Sequence, residues 1–242
     1  MTKILKIDPE NFTLKELRPA AAALLEGGVV AAATESFYAL LVMADHPPAL
    51  EKLFFLKFGR EPGYSWNGGD VTAAGAAAAG ENAFLLLLDS RERVKAYARE
   101  IPREAERLMD LHWPGLLTLV FQAQGGLHPA ILGGGKSSVA LRVDRFPVPG
   151  ALSRMTDRGV TGTSANPHGS PPAVCAGEVL EYFRGRLDMV VDTDKGPKDP
   201  PSAADHRPST ILDVSRRPFS VLREGAVNGK EVLKALSFPP KS

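Results

Sequence analysis

Residues 159–172 read GVTGTSANPHGSPP, which sets Thr163, Ser164 and Asn166 just ahead of a break at Pro167 and Gly169. Small oxygen-bearing side chains on a sharp turn after a short strand suit two chemistries. One is a serine nucleophile, the other the docking of an oxygen-rich ligand. Residues 162–166 nearly match the G-x-S-x-G elbow of serine hydrolases, but Asn166 stands where a second glycine keeps that turn uncrowded. A serine nucleophile also needs a base, and nothing in the sequence pairs His46, His112, His128, His168 or His206 with Ser164. A polar turn with Asn166 capping the bend is the plainer alternative. Gly135-Lys136-Ser137 has the ending of a phosphate-binding P-loop, yet Ala130 occupies the place of its first glycine. The histidines show no metal-ligand spacing, and Asp192-x-Asp194 lacks the rest of a calcium loop. What remains is a scatter of hydroxyls and cations at the ends of predicted elements: Thr34, Lys57, Arg60, Arg142, Ser164, Asn166, Ser209, Thr210 and Arg223. Singly, each reads as a solvated charge or a cap.

The elements that must position them are short. Thr13-Leu14-Lys15-Glu16 reads as a capping box opening a helix with Leu14, Leu17, Ala21, Leu24 and Leu25 on its apolar face. Gly27-Gly28 ends it, and VVAAA (29–33) is a buried strand. Pro47 and Pro48 start a helix over Ala49–Phe58, with Leu50, Leu53 and Phe54 inward. Further helical patterns lie at Arg91–Arg99, Arg103–Leu111, Val148–Thr156, Ala176–Phe183 and Lys230–Leu236. Between them AFLLLL, TLVF, SVALRV, GVTGT, MVVD, STILDV and SVLRE read as strands. Strands mixed with helices, without strict alternation, predict an α/β fold: one domain over residues 1–242 with a mixed sheet. Glu61–Asn82, rich in glycine and alanine, reads as a mobile surface loop.

Composition narrows the function classes. A chain of 242 residues with 44% hydrophobic content can bury one sizeable core. A net charge of +1 gives no global field for nucleic acid or membrane, so an anion site must come from local clustering. Cys175, the single cysteine, excludes an internal disulfide framework. No apolar run approaches the roughly 20 residues of a membrane span, and the first ten residues hold no apolar signal region; a cytoplasmic protein is the default expectation.

Seven segments in order carry a family resemblance: GGVVAAATESFYAL, ALEKLFFLKFGREPG, LMDLHWPGLLTLVF, SVALRV, GVTGTSANPHGSPP, PSTILDV and VLREGAV. Together they span residues 27 to about 227 and resemble the YrdC-like family, the threonylcarbamoyl-AMP synthases that begin threonylcarbamoyl modification of transfer RNA. The resemblance is to the short form, without an extra C-terminal domain. It implies a twisted mixed sheet flanked by helices around a concave cationic cleft. It also implies an enzyme acting on L-threonine, bicarbonate and ATP, with Mg2+ accompanying the triphosphate and no dedicated metal cage. Carried over by motif, Thr34 and Arg142 would hold threonine. Lys57, Arg60, Ser164, Asn166, Ser209 and Arg223 would hold ATP, with Lys57 and Arg60 the candidate catalytic cations. Implied partners are tRNA or a downstream threonylcarbamoyl transferase complex, and no membrane. Catalysis would rest on positioning and charge stabilisation.

The chain departs from the family pattern at the site. Ala33 stands where proline is usual, Ala39 where glycine is usual, and Phe58 and Gly59 separate Lys57 from Arg60 where one residue is usual. In an extended segment the extra residue would turn a side chain to the opposite face. Glu224 follows Arg223 where proline is usual, which predicts a negative charge beside a phosphate ligand. The insertion at 61–82 replaces a polar-Pro-Leu stretch. Three readings stay open: the synthase, a divergent nucleotide- or RNA-binding module without synthesis, and an unrelated acyl-transfer enzyme using Ser164.

Overall fold

The computed structural model describes residues 1–61, 65–66, 71–72, 83–133, 137–193 and 207–236. Strand β1 (Lys3–Lys6) leads into helix α1 (Arg18–Leu25), and β2 (Val30–Ala33) and β3 (Tyr38–Leu41) form a hairpin. Helix α2 (Pro47–Phe58) is followed by two-residue strands β4 (Ser65–Trp66) and β5 (Val71–Thr72), which pair with each other. The middle of the chain holds β6 (Leu86–Leu88), α3 (Arg103–His112), β7 (Leu117–Gln122), β8 (Leu132–Gly133), β9 (Ser138–Val143) and α4 (Pro147–Thr156). Then come β10 (Val160–Thr161), β11 (Thr163–Ser164), α5 (Ala176–Phe183), β12 (Met189–Asp192), β13 (Thr210–Asp213), β14 (Ser220–Arg223) and α6 (Gly229–Leu236).

The mixed α/β class expected from the sequence holds, with the larger strands shared between two mixed sheets among the described residues. One runs β1-β12-β2-β3-β11, parallel from β1 to β2 and antiparallel from β2 to β11. The other runs β10-β6-β9-β7-β13-β14, with β8 also on β9. The two-residue repeat of a strand sets the layers. Val30 and Ala32 of β2 join the cluster closed by Leu17, Ala20, Ala21 and Leu24 at α1 and by Val148 and Leu152 of α4. Ala31 and Ala33 turn the other way, into the cluster shared by the second sheet and Leu50, Leu53 and Phe54 of α2. Those three α2 residues are the ones its sequence spacing sent inward.

The crossing between sheets takes a single residue. Val160 and Thr161 pair with β6, while Thr163 and Ser164 pair with β3. Gly162 lies between, and a Cβ there would come within 2.7 Å of Leu87 Cγ and 2.8 Å of Leu85 Cδ1. Absence of a side chain is what lets the two layers close here. Thr161 stitches them: its hydroxyl donates to the Leu40 carbonyl at 3.0 Å and accepts from the Val42 N–H at 3.0 Å.

Some elements differ from their sequence patterns. Glu16 does reach back to the Thr13 N–H at 2.8 Å, but the Thr13 hydroxyl donates to the same carboxylate, and the helix begins at Arg18 with Pro19 in its first turn. Leu14 therefore stays exposed. Arg91–Ala96 is a 3₁₀ segment rather than an α-helix. Most of the 61–82 loop and residues 134–136 of the P-loop-like turn lie outside the described residues. Among the described residues no helix is long and apolar enough to cross a membrane.

Candidate functional site

A cavity of about 450 Å³ opens between the two sheets. Thr34, Arg142, Ser164, Ser209 and Arg223 all line it, together with Ser36. Thus five of the eight residues that the resemblance assigned to threonine or ATP share one cavity, although they are spread over nearly 190 positions of the chain (34 to 223). Lys57, Arg60 and Asn166 are not among the lining residues.

Thr34 begins the β2–β3 turn. Its hydroxyl donates to the Phe37 carbonyl at 2.7 Å and accepts from the N–H groups of Ser36 and Phe37 at 3.2 and 3.3 Å. The side chain shapes the turn from within, as short hydroxyls do. Arg142 arrives from the facing sheet. It is two residues beyond Ala140 on β9, so both look into the cavity. Arg142 is 3% exposed, and its Nη2 donates to Asp144 Oδ2. Its Nε is buried and has no hydrogen-bond partner. A buried guanidinium donor without a hydrogen-bond partner costs free energy unless a ligand takes it.

Arg223 reaches the cavity through a β-bulge. Leu212 pairs with Val221 and Ile211 with Arg223, so Leu222 is the extra residue on β14. Directly opposed residues share a face, and Ile211 and Arg223 both line the cavity. The guanidinium donates to the Ser209 carbonyl at 2.8 Å and lies 3.3 Å from the Ser209 hydroxyl. Although the residue is exposed as a whole, desolvation of its head and the charge of Arg142 hold Arg223 below the ordinary arginine value. A cation whose charged form is disfavoured in this way suits an anionic ligand. The Ser209 hydroxyl also bonds that of Thr118 at 2.8 Å.

Glu224 does not face this ligand site through its carboxylate as the sequence suggested. Its Oε2 accepts from the Gly229 N–H at 3.0 Å, at the start of α6, where a helix N-terminus favours negative charge. Gly225 next to it runs against the backbone of residues 208–210. A Cβ there would meet the Pro208 carbonyl oxygen at 2.3 Å and the Thr210 nitrogen at 2.6 Å. Gly225→Ala is expected to destabilise the fold by about 1–3 kcal/mol, the usual cost of overpacking, and to displace Ser209 from Arg223. Thermal unfolding checks it; an unchanged midpoint would refute the close approach.

The Ser164–Asn166 turn is held from α2. The Lys57 ammonium donates to the Ser164 carbonyl at 2.8 Å, the Ser164 hydroxyl at 3.1 Å and Asn166 Oδ1 at 2.9 Å. Asn166 Nδ2 then donates to the carbonyls of Pro167 and Ser170 at 2.9 and 2.6 Å. Burial lowers the Lys57 pKa to about 8. In its charged form this lysine spends all three protons on the turn, so it donates to Ser164 rather than taking its proton. The segment of Lys57 and Phe58 is the end of a helix, not an extended strand, so the extra residue has no strand face to reverse. Gly59 closes α2 with φ 66°, and Arg60 lies beyond it, exposed, with its guanidinium 5.4 Å from the Phe54 ring. Phe58 packs on Phe54 and Phe84 at centroid distances of 4.6 and 6.2 Å.

Asp144 was missed in the sequence. Its side chain is fully buried, and Oδ1 accepts from the N–H groups of Glu35 and Phe146, each at 2.9 Å. The available signal was its place two residues after Arg142 at a strand end, which puts both on one side. Among the described residues no group of three or more His, Cys, Asp or Glu side chains could hold a metal ion.

Residues 79–225 match the family model Sua5_yciO_yrdC, which carries the description "Telomere recombination". The threonylcarbamoyl-AMP synthase of Pyrococcus abyssi is 29% identical over 239 residues, 98% of this chain and 61% of that protein. The one of Halorhodospira halophila is 31% identical over 175 residues, 72% of this chain and 81% of the relative. The solved structure of P. abyssi Sua5 complexed with L-threonine has a TM-score of 0.79 at 29% identity, covering 96% of this chain and 60% of that one. E. coli YciO shares the fold, with a TM-score of 0.74 at 20% identity over 95% of this chain and 98% of its own. The chain thus spans about three-fifths of the P. abyssi protein. The family-model match covers more than half of the chain, and a two-sheet α/β frame brings its hydroxyls and arginines to one cavity: the chain belongs to the Sua5/YciO/YrdC family.

Proposed function

We propose that the chain is a threonylcarbamoyl-AMP synthase, making threonylcarbamoyl-AMP and pyrophosphate from L-threonine, bicarbonate and ATP for the modification of transfer RNA in the cytoplasm. The observation that carries this reading is the buried, unpartnered Nε of Arg142 in a cavity shared with Arg223 and the hydroxyls of Ser36, Ser164 and Ser209. The names of the curated relatives support it. The threonine amine attacks the bicarbonate carbon, water leaves, and a carbamate forms. A carbamate oxygen then attacks the α-phosphorus, and the bond to pyrophosphate breaks. No covalent bond to the protein is required. Arg142 and the Thr34 turn take threonine, while Ser209, Arg223 and the Ser164–Asn166 turn take the nucleotide. Lys57 serves the phosphates by fixing that turn, and Arg60, exposed just beyond α2, is the second candidate cation for them. Positioning and charge carry the rate.

One observation favours a second reading, a nucleotide- or RNA-binding module without synthesis: neither Lys57 nor Arg60 lines the cavity. Pyrophosphate release from ATP, magnesium and bicarbonate, with and without L-threonine, separates the two. Threonine-dependent release is the expected result. ATP binding without release would overturn the synthase in favour of the module.

A further inference from the structure

The buried carboxylate of Asp144 is not accounted for by the roles above. It touches three parts of the molecule at once. Oδ2 accepts from Arg142 on β9. Oδ1 accepts from the Phe146 N–H at the N-cap of α4, and from the Glu35 N–H in the β2–β3 turn, 109 residues away in sequence. Thr34 and Ser36 on either side of Glu35 line one wall of the cavity, and Arg142 lines the other. A single carboxylate therefore ties the two walls together, and it engages one end of the Arg142 guanidinium while Nε, buried, has no hydrogen-bond partner. The ion pair at Nη2 and the burial of the side chain restrict the guanidinium before any ligand arrives. Preorganised donors of this kind bind without a reorganisation cost.

We propose that Asp144 is a positioning residue for the amino-acid end of the site: it aims the Arg142 Nε at the threonine carboxylate and keeps the Thr34–Ser36 turn in register with it. Among the described residues Asp144 hydrogen-bonds none of Ser209, Arg223 and Ser164 at the nucleotide end; its one link to them is Arg142, whose charge acts on Arg223. The proposal rests on the synthase reading of the cavity.

Asp144→Asn is the sharpest variant. Its Oδ1 can still accept from Glu35 and Phe146, but an amide NH2 now meets the donor of Arg142. Asp144→Ser is the second: a short hydroxyl keeps one turn acceptor and lacks a group for Arg142. Equilibrium binding of L-threonine and, separately, of ATP is measured by calorimetry on wild type and on each variant that retains a cooperative thermal transition. Should the asparagine variant fail to fold, the serine variant carries the test, and Asp144→Glu, which keeps the charge but sets it one methylene further out, carries it if both fail. Threonine affinity is expected to fall at least tenfold with ATP affinity within about twofold of wild type. Equal threonine binding by wild type and folded variants would overturn the proposal. So would a parallel loss of both ligands, which marks a loosened cleft. Wild type that binds no threonine would overturn the synthase reading itself, and the proposal with it.

Discussion

Asp144→Ala is expected to lower folding stability by about 3–5 kcal/mol, the usual result of removing one partner of a buried ion pair. The pair is as dry as any in the described structure, with side-chain exposures of 4% for Arg142 and 0% for Asp144. Alanine would leave the guanidinium charged and enclosed, with its Nε already without a partner. It would also strand the N–H groups of Glu35 and Phe146. The ion pair itself need not be a net gain, because burying two charges costs much of what their attraction returns. That distinction can be measured. Replacing both residues, Asp144→Ala with Arg142→Met, is expected to restore part of the loss, since no buried charge then remains. Urea unfolding of the singles and the double checks this. A single-variant loss below about 1 kcal/mol would show that water or a backbone shift rescues the arginine.

The second large effect is acid lability from His128. This residue is 3% exposed, and its Nδ1 accepts from the Ala130 N–H at 3.2 Å at the start of a 3₁₀ turn. Burial lowers its pKa from 6.5 to about 4. Between those values the unfolded chain binds a proton that the folded chain does not. Stability therefore rises with pH across the window and is lost as pH falls from 6.5 toward 4. From pH 6.5 to 5 the loss comes to about 1.5 kcal/mol, because the slope reaches 1.36 kcal/mol per unit only once the unfolded histidine is fully protonated. His128→Asn keeps an acceptor at the cap and does not titrate, so it is expected to flatten this part of the stability curve. Comparing the two proteins cancels the carboxylates and His112, whose own value is lowered by burial. Parallel curves from pH 6.5 to 5 would show that His128 charges freely in the fold. The turn adjoins the site: the Ala130 carbonyl accepts from the Phe84 N–H at 2.8 Å, and Phe84 lines the cavity.

How much of this was legible in the sequence depends on the range of the force involved. α5 sits at Ala176–Phe183 as its spacing implied, and α2 turned the expected leucines inward, because a strong local period decides both. β3 was not legible: YALL has no alternation when both faces are buried, and it needs β2 and β11 beside it to become a strand. GVTGT reads as one strand but is two, since only the side chains of Leu85 and Leu87 show why Gly162 must stay bare. At the site, residue types and order marked Arg142, Ser164, Ser209 and Arg223, all of which line the cavity. They could not show that Lys57 turns to the Ser164–Asn166 turn, that a bulge aims Arg223, or that Asp144 closes the loop between the walls. Each of those is a contact between residues far apart in the chain or a backbone irregularity, and neither leaves a period.

The crossing at Gly162 also bears on the order of folding. β10 and β11 are neighbours in sequence, yet neither has a local partner. Thr161 bonds Leu40, 121 residues earlier, and Lys57 bonds Asn166 across 109 residues. Closing loops of that length costs chain entropy before any pairing returns it. High contact order of this kind slows folding. The turn that carries Ser164 and Asn166 is therefore expected to set late, once β3, β6 and α2 are in place to receive it. During synthesis the chain emerges with the first hairpin and the helices able to form early, while the ligand cavity waits for residues beyond 160. Ligand-binding competence should accordingly appear as the last kinetic phase of refolding, after secondary structure has regained its full signal.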